Sequence, residues 1–92
     1  MKLYKAEEWQ GADDKWHVGD CSDLGHNSNC WYYPARILGI SPAELILLLV
    51  NEYGAECKWL ETTLIYKWGD LNKARKWKNF INARARAIKF YI

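Results

Sequence analysis

The sequence predicts a small single α+β domain, and three stretches of it carry that prediction. Residues 42–53 form a capped apolar helix, residues 57–68 an aromatic β-prone run, and residues 70–89 a basic amphipathic helix. Together they fit a short antiparallel sheet with the last helix packed on it. At 92 residues the chain has room for one core and one domain, spanning 1–92.

Residues 2–6 and 15–18 read as short strands, separated by the turn-prone Gln10-Gly11-Ala12-Asp13-Asp14. Residues 19–30 are rich in Gly, Asp, Ser and Asn and read as a loop. Residues 31–38 fit either a short helix or a strand, with Pro34 limiting any long regular element.

The next helix has the firmest local signals. Ser41 is a good N-cap, Pro42 fits the first helical position, and Glu44 completes a Ser-x-x-Glu capping box. Gly54 supplies the left-handed residue that ends it. Leu45-Ile46-Leu47-Leu48-Leu49-Val50 covers every side of this helix, which predicts burial on most faces or contact with a second chain, as in a homodimer.

Residues 57–68 are rich in Thr, Ile, Tyr and Trp and read as one central strand. Gly69 then turns the chain, and Asp70 caps the final helix. Ala74, Trp77, Ile81, Ala85 and Ile88 recur at spacings of three and four, giving one apolar stripe.

Charge is unevenly distributed. The whole chain carries +2, but residues 1–30 carry −3 and residues 31–69 carry −1. In residues 70–92 seven bases stand against Asp70 alone, giving +6. Lys73, Arg75, Lys76, Lys78, Arg84, Arg86 and Lys89 share the last helix with Asn72, Asn79 and Asn82 and with no acid inside it. Exposed helices usually mix signs, so this surplus points to a binding face for phosphate or for an acidic protein surface.

A second candidate site is His17, Cys21, His26 and Cys30, four borderline ligands within fourteen residues. Zinc accepts such a set. The spacing H-x3-C-x4-H-x3-C matches no usual finger, however. A Cys21–Cys30 disulfide and free side chains stay open beside zinc, and no other cofactor is indicated. Cys57 reads as a core thiol.

Ala35-x-x-Leu38-Gly39-Ile40-Ser41 has the look of a helix-turn-helix turn. The helix after it is too apolar to read base edges, so an N-cap before a core helix is the better account. No nucleophile turn or phosphate loop occurs, and Glu7-Glu8 and Asp13-Asp14 are adjacent turn acids; no enzyme is expected.

The longest apolar run, Leu45 to Val50, is far short of the ~20 residues a membrane span needs. The N-terminus, Met1-Lys2-Leu3-Tyr4-Lys5, has no apolar signal region. A cytoplasmic protein with reduced thiols is the expectation.

From Trp31 onward the chain resembles the small accessory proteins of phages and prophages of Gram-positive bacteria. The resemblance rests on Tyr33-Pro34-Ala35-Arg36-Ile37-Leu38-Gly39-Ile40-Ser41, on Glu52-Tyr53-Gly54-Ala55 ending a Leu-rich helix, on the aromatic strand, and on Asn79-Phe80-Ile81-Asn82 in a basic last helix. It implies a protein acting in the bacterial host cell by stoichiometric binding to a host protein or ribonucleoprotein complex. Anti-CRISPR inhibitors of a defence nuclease belong to this class. An accessory protein that binds DNA or RNA backbone through the same helix is the alternative.

Overall fold

The computed structural model describes residues 1–20 and 26–92. Elements run β1 (Glu7–Gln10), β2 (Trp16–Gly19), α1 (Asn29–Leu38), α2 (Pro42–Tyr53), β3 (Glu56–Leu60), β4 (Thr63–Trp68) and α3 (Leu71–Ile88). The four strands form one antiparallel sheet in the order β1-β2-β4-β3. The class is α+β, as the sequence predicts.

Strand alternation divides the sheet into two faces. Val18, Leu64, Tyr66 and Trp68 point to the helices and are buried, where they meet Ala74, Trp77, Ile81 and Ala85 of α3. The predicted stripe is therefore the buried stripe, except that Ile88 at its end is 48% exposed. Asp70 caps the helix by accepting from the Asn72 amide at 2.8 Å.

α2 has the predicted ends. The Ser41 hydroxyl accepts from the Glu44 amide, Glu44 accepts from the Ser41 amide, and Gly54 adopts φ 68°. Its predicted burial is corrected. Only Leu45 and Leu49 are buried, whereas Leu47 is 60% and Val50 43% exposed. α2 lies at the margin, against α1, α3 and β3, so its outer ridge has nothing to cover it among the described residues.

The single strand predicted at residues 57–68 is a hairpin. Leu60 pairs with Thr63 across a two-residue turn, and Glu61 takes φ 56° there. Positive φ at the first turn residue belongs to the primed turns that match strand twist, a place where Gly or Asn is usual. A glutamate there carries no such sequence signal.

The strand predicted at residues 2–6 is also corrected: regular strand begins at Glu7. Residues 2–6 are extended, but their partners lie at the other end of the chain. Lys2 donates to Ile92, Ile92 to Lys2 and Tyr4 to Phe90, all backbone to backbone. Ala6 meets a side chain instead. Buried Asn82 accepts from the Ala6 amide at 2.7 Å and donates to the Ala6 carbonyl at 2.9 Å, completing both hydrogen bonds a neighbouring strand would have supplied.

α1 keeps Pro34 inside a regular helix. Proline lacks the amide that would bond to the carbonyl four residues earlier, which is that of Cys30. The buried Tyr66 hydroxyl from β4 donates to that carbonyl instead. Burial pushes this hydroxyl well above its ordinary pKa, so it stays a donor across the accessible pH range. Tyr66→Phe removes the hydroxyl's hydrogen bond to the Cys30 carbonyl and is expected to cost about 1–3 kcal/mol. In a Pro34→Ala background the restored helix amide serves the carbonyl, so the same change should cost distinctly less. A double-mutant cycle by urea unfolding reads the difference.

Candidate functional site

The seven bases of α3 do not act as one surface. Glu8 of β1 lies on the helix side of the sheet and takes two of them: Arg75 Nε lies 3.1 Å from Oε1 and Lys78 Nζ lies 2.5 Å from Oε2. Lys78, then Arg75, hold the Glu8 carboxyl below its usual range against the opposing effect of burial. Lys78, with 21% of its side chain exposed, therefore belongs to the packing of α3 on β1. Lys73 lies across the end of α2, where a Cβ added to Gly54 would come within 3.3 Å of its Cδ and Nζ. A cation there complements the negative end of α2, whose own last turn holds no base.

Lys76, Arg84, Arg86 and Lys89 remain. All four are exposed and make no ion pair among the described residues. They span about 20 Å of helix at 1.5 Å per residue. Asn72 and Asn79 are exposed among them, whereas Asn82 is 8% exposed and committed to Ala6, a correction to its reading as a surface amide. Lys89 sits just past the helix at φ 54°, the left-handed position that glycine usually fills.

The other candidate site is on the helix-free side of the sheet. His17 of β2 pairs with Lys67 of β4 in the ladder and stacks on Trp9 of β1, ring centroids 5.5 Å apart. Among the described residues the β2–β4 ladder has two pairs, Trp16 with Trp68 and His17 with Lys67. His26 sits next to the last of these, 4.8 Å from the His17 ring and 6.0 Å from that of Tyr66.

Their nitrogens form a chain with Asp13. His17 Nε2 lies 3.2 Å from Asp13 Oδ1, and His17 Nδ1 lies 2.6 Å from His26 Nε2. A carboxylate only accepts, so neutral His17 carries its proton on Nε2 and accepts at Nδ1 from His26 Nε2–H. Asp13 is itself held by Lys67 Nζ at 3.0 Å and by the Lys15 amide at 3.0 Å. Lys67 first, then that amide, keep its carboxyl far below the ordinary range. Gly11 makes room for the arrangement, because a Cβ there would lie 2.7 Å from His17 Nε2.

This is not the zinc set read from the sequence. His17 and His26 do come together, but they bond to each other. Cys30 is buried at the start of α1 and disulfide-bonded, so its sulfur is no thiolate ligand. Cys21 lies outside the described residues, so the predicted Cys21–Cys30 pairing does too. Among the described residues no group of three or more His, Cys, Asp or Glu is arranged to hold a metal ion. The expectation of reduced thiols holds for Cys57, which is free, and fails for Cys30. Asp13 is the residue that sequence reasoning missed; its signal was its place four residues before His17, across a tight turn.

A groove of about 600 Å³ opens here, with Asp13, His17, His26, Lys58, Thr63 and Lys67 in its walls. His26 Nδ1 is buried and makes no hydrogen bond among the described residues. The imidazoles hold one another and the β1–β2 turn in place, and neither presents a free nitrogen to the groove.

The helix-turn-helix echo has a geometric counterpart: the axes of α1 and α2 turn by 92°. The exposed side of α2 carries Glu44, Leu47, Val50 and Glu52 and no cation, which does not suit a phosphate backbone. Among the described residues no single helix is long and apolar enough to cross a membrane.

Burial, followed by the neighbouring His17, lowers the His26 pKa from 6.5 to about 4. The unfolded chain takes up this proton as pH falls through 6.5, while the folded chain refuses it down to about 4. The contribution is therefore complete above pH 6.5 and declines below it, with a slope approaching about 1.4 kcal/mol per pH unit. Urea unfolding should show the wild type losing about 1.5 kcal/mol between pH 6.5 and 5. His26→Gln, which keeps an N–H for His17, should lose markedly less.

Comparison of the chain with protein-family models, with curated proteins and with solved structures finds no match.

Proposed function

We propose that this protein works by stoichiometric binding, without chemistry of its own, through the outward face of α3. The observation that supports this reading is the set of exposed cations at Lys76, Arg84, Arg86 and Lys89, which the fold neither pairs nor buries. Arg75 lies beside them with 53% of its side chain exposed and adds to the same field. Packing of Trp77, Ile81 and Ala85 holds the helix rigid, so a partner would meet the charges already in place.

The resemblance to phage accessory proteins supplies the partner class: a host ribonucleoprotein nuclease whose nucleic-acid path the α3 face would occupy or contact. Direct binding to nucleic acid is the second reading. The exposed amides of Asn72 and Asn79 among the cations favour it, since amides also donate to phosphate oxygens.

The triple change Lys76→Glu, Arg84→Glu, Arg86→Glu tests the surface. All three are exposed and unpaired, so unfolding free energy should change by no more than about 0.5 kcal/mol per site. Inhibition of a purified RNA-guided nuclease at equimolar ratio should disappear. Titration of a short DNA duplex and a single-stranded RNA across salt separates the two readings. Four phosphate contacts predict a log–log slope of about −3 to −4 on duplex. Absence of binding at low salt removes the nucleic-acid reading, and inhibition that survives the triple change removes the α3 surface.

A further inference from the structure

β3 is one of the two edges of the sheet, and its outer side is open. Leu60 and Thr63 flank the two-residue turn, so Leu60, Lys58 and Glu56 exchange the ladder hydrogen bonds with β4. Cys57 and Trp59 consequently aim their amides and carbonyls outward, and neither backbone bonds to anything else among the described residues. Natural edge strands are usually covered or protected by charge. Here the protection is incomplete, because Lys58 is offset by Glu56 two residues away on the same face.

Exposed apolar side chains stand on both faces of this edge. Trp59 is 46% exposed on the helix side of the sheet and Leu60 59% on the opposite side, and α2, which contacts β3, carries exposed Leu47 and Val50. These are four of the eight large apolar side chains exposed among the described residues, on two of the seven elements.

We propose that β3 pairs antiparallel with β3 of a second copy, with Cys57 opposite the partner's Cys57, to make a homodimer with a continuous eight-stranded sheet. Charge selects both the occupant and the register. A two-fold pairing centred on Lys58 sets two lysines face to face, and one centred on Glu56 sets two glutamates face to face. Centred on Cys57, each Glu56 stands opposite the partner's Lys58, so two opposite-charge pairs form where cross-strand side chains are closest. In this register the outward amide and carbonyl of Cys57 both find partners and the Trp59 amide meets the carbonyl of the facing Ala55, whose own amide stays with Leu49. Such a contact is isologous and closes on itself, which protects the edge from further growth. Each α3 binding face would then be present twice in one particle.

Charge-swap variants followed by sedimentation equilibrium test both the dimer and its register. Wild-type protein should show a concentration-dependent monomer–dimer equilibrium. Glu56→Lys alone and Lys58→Glu alone each set like charges opposite one another and should weaken the dimer by at least about tenfold. An equimolar mixture of the two variants should recover it as a heterodimer, and so should the double variant E56K/K58E with itself. Glu56→Lys also loses a surface pair with Lys15 at 3.6 Å, which is worth little. Circular dichroism of each variant establishes that it is folded, and the double variant carries the test if a single one is not. A wild type that stays monomeric to about millimolar concentration overturns the proposal. Single variants that dimerise like wild type, or a mixture that stays monomeric, overturn it too.

Discussion

A single buried amide holds the N-terminal segment of this molecule to its core. Asn82 projects from the stripe of α3 that otherwise carries only Trp77, Ile81 and alanines, and there it would be costly if unpaired. The backbone of Ala6 satisfies it at both the donor and the acceptor. Fixing Ala6 fixes the start of β1 one residue later. β1 in turn sets Glu8 against Arg75 and Lys78, and sets Trp9 against His17. The β1–β2 turn that carries Asp13 follows from the same register. A polar group at the centre of an apolar stripe thus specifies the position of the whole N-terminal third.

What could be read from the sequence was what neighbours in sequence decide. The Ser41–Glu44 box, Gly54 and the Asp70 cap act within a few residues of themselves, and the Ala74–Ala85 stripe needs only helical period. Residues 2–6 could not be read this way, because their partners are 76 or more positions away. The β3–β4 hairpin was hidden for a different reason. Its turn uses Glu61 where a glycine or asparagine would have announced it, so a continuous β-prone run concealed a reversal. α2 misled in the opposite direction: an apolar helix suggests a buried one, yet its outer ridge is open.

The two candidate sites show the same division. Counting cations along α3 identified a basic helix but not how many of its charges are committed. Glu8, far away in sequence, takes Lys78 and part of Arg75, and the end of α2 takes Lys73. The histidines were rightly seen as neighbours, since both sit in the loop-rich N-terminal third. Their chemistry was not legible, because Asp13, Lys67 and the disulfide state of Cys30 decide it. Hydrogen-bonded imidazoles between a carboxylate and a buried edge brace a turn.

The seam between residues 2–6 and the C-terminal segment also orders events in time. It closes loops of 76 or more residues, so its entropic cost must be met after α3 and the tail beyond it are in place. A seam of this kind forms late in folding. Were it to part, β1 would go with it, and Glu8 would leave Arg75 and Lys78. The surface that such an opening exposes is more positive than the one the closed molecule shows. The N-terminal segment is thus a cover over latent charge as well as part of a sheet.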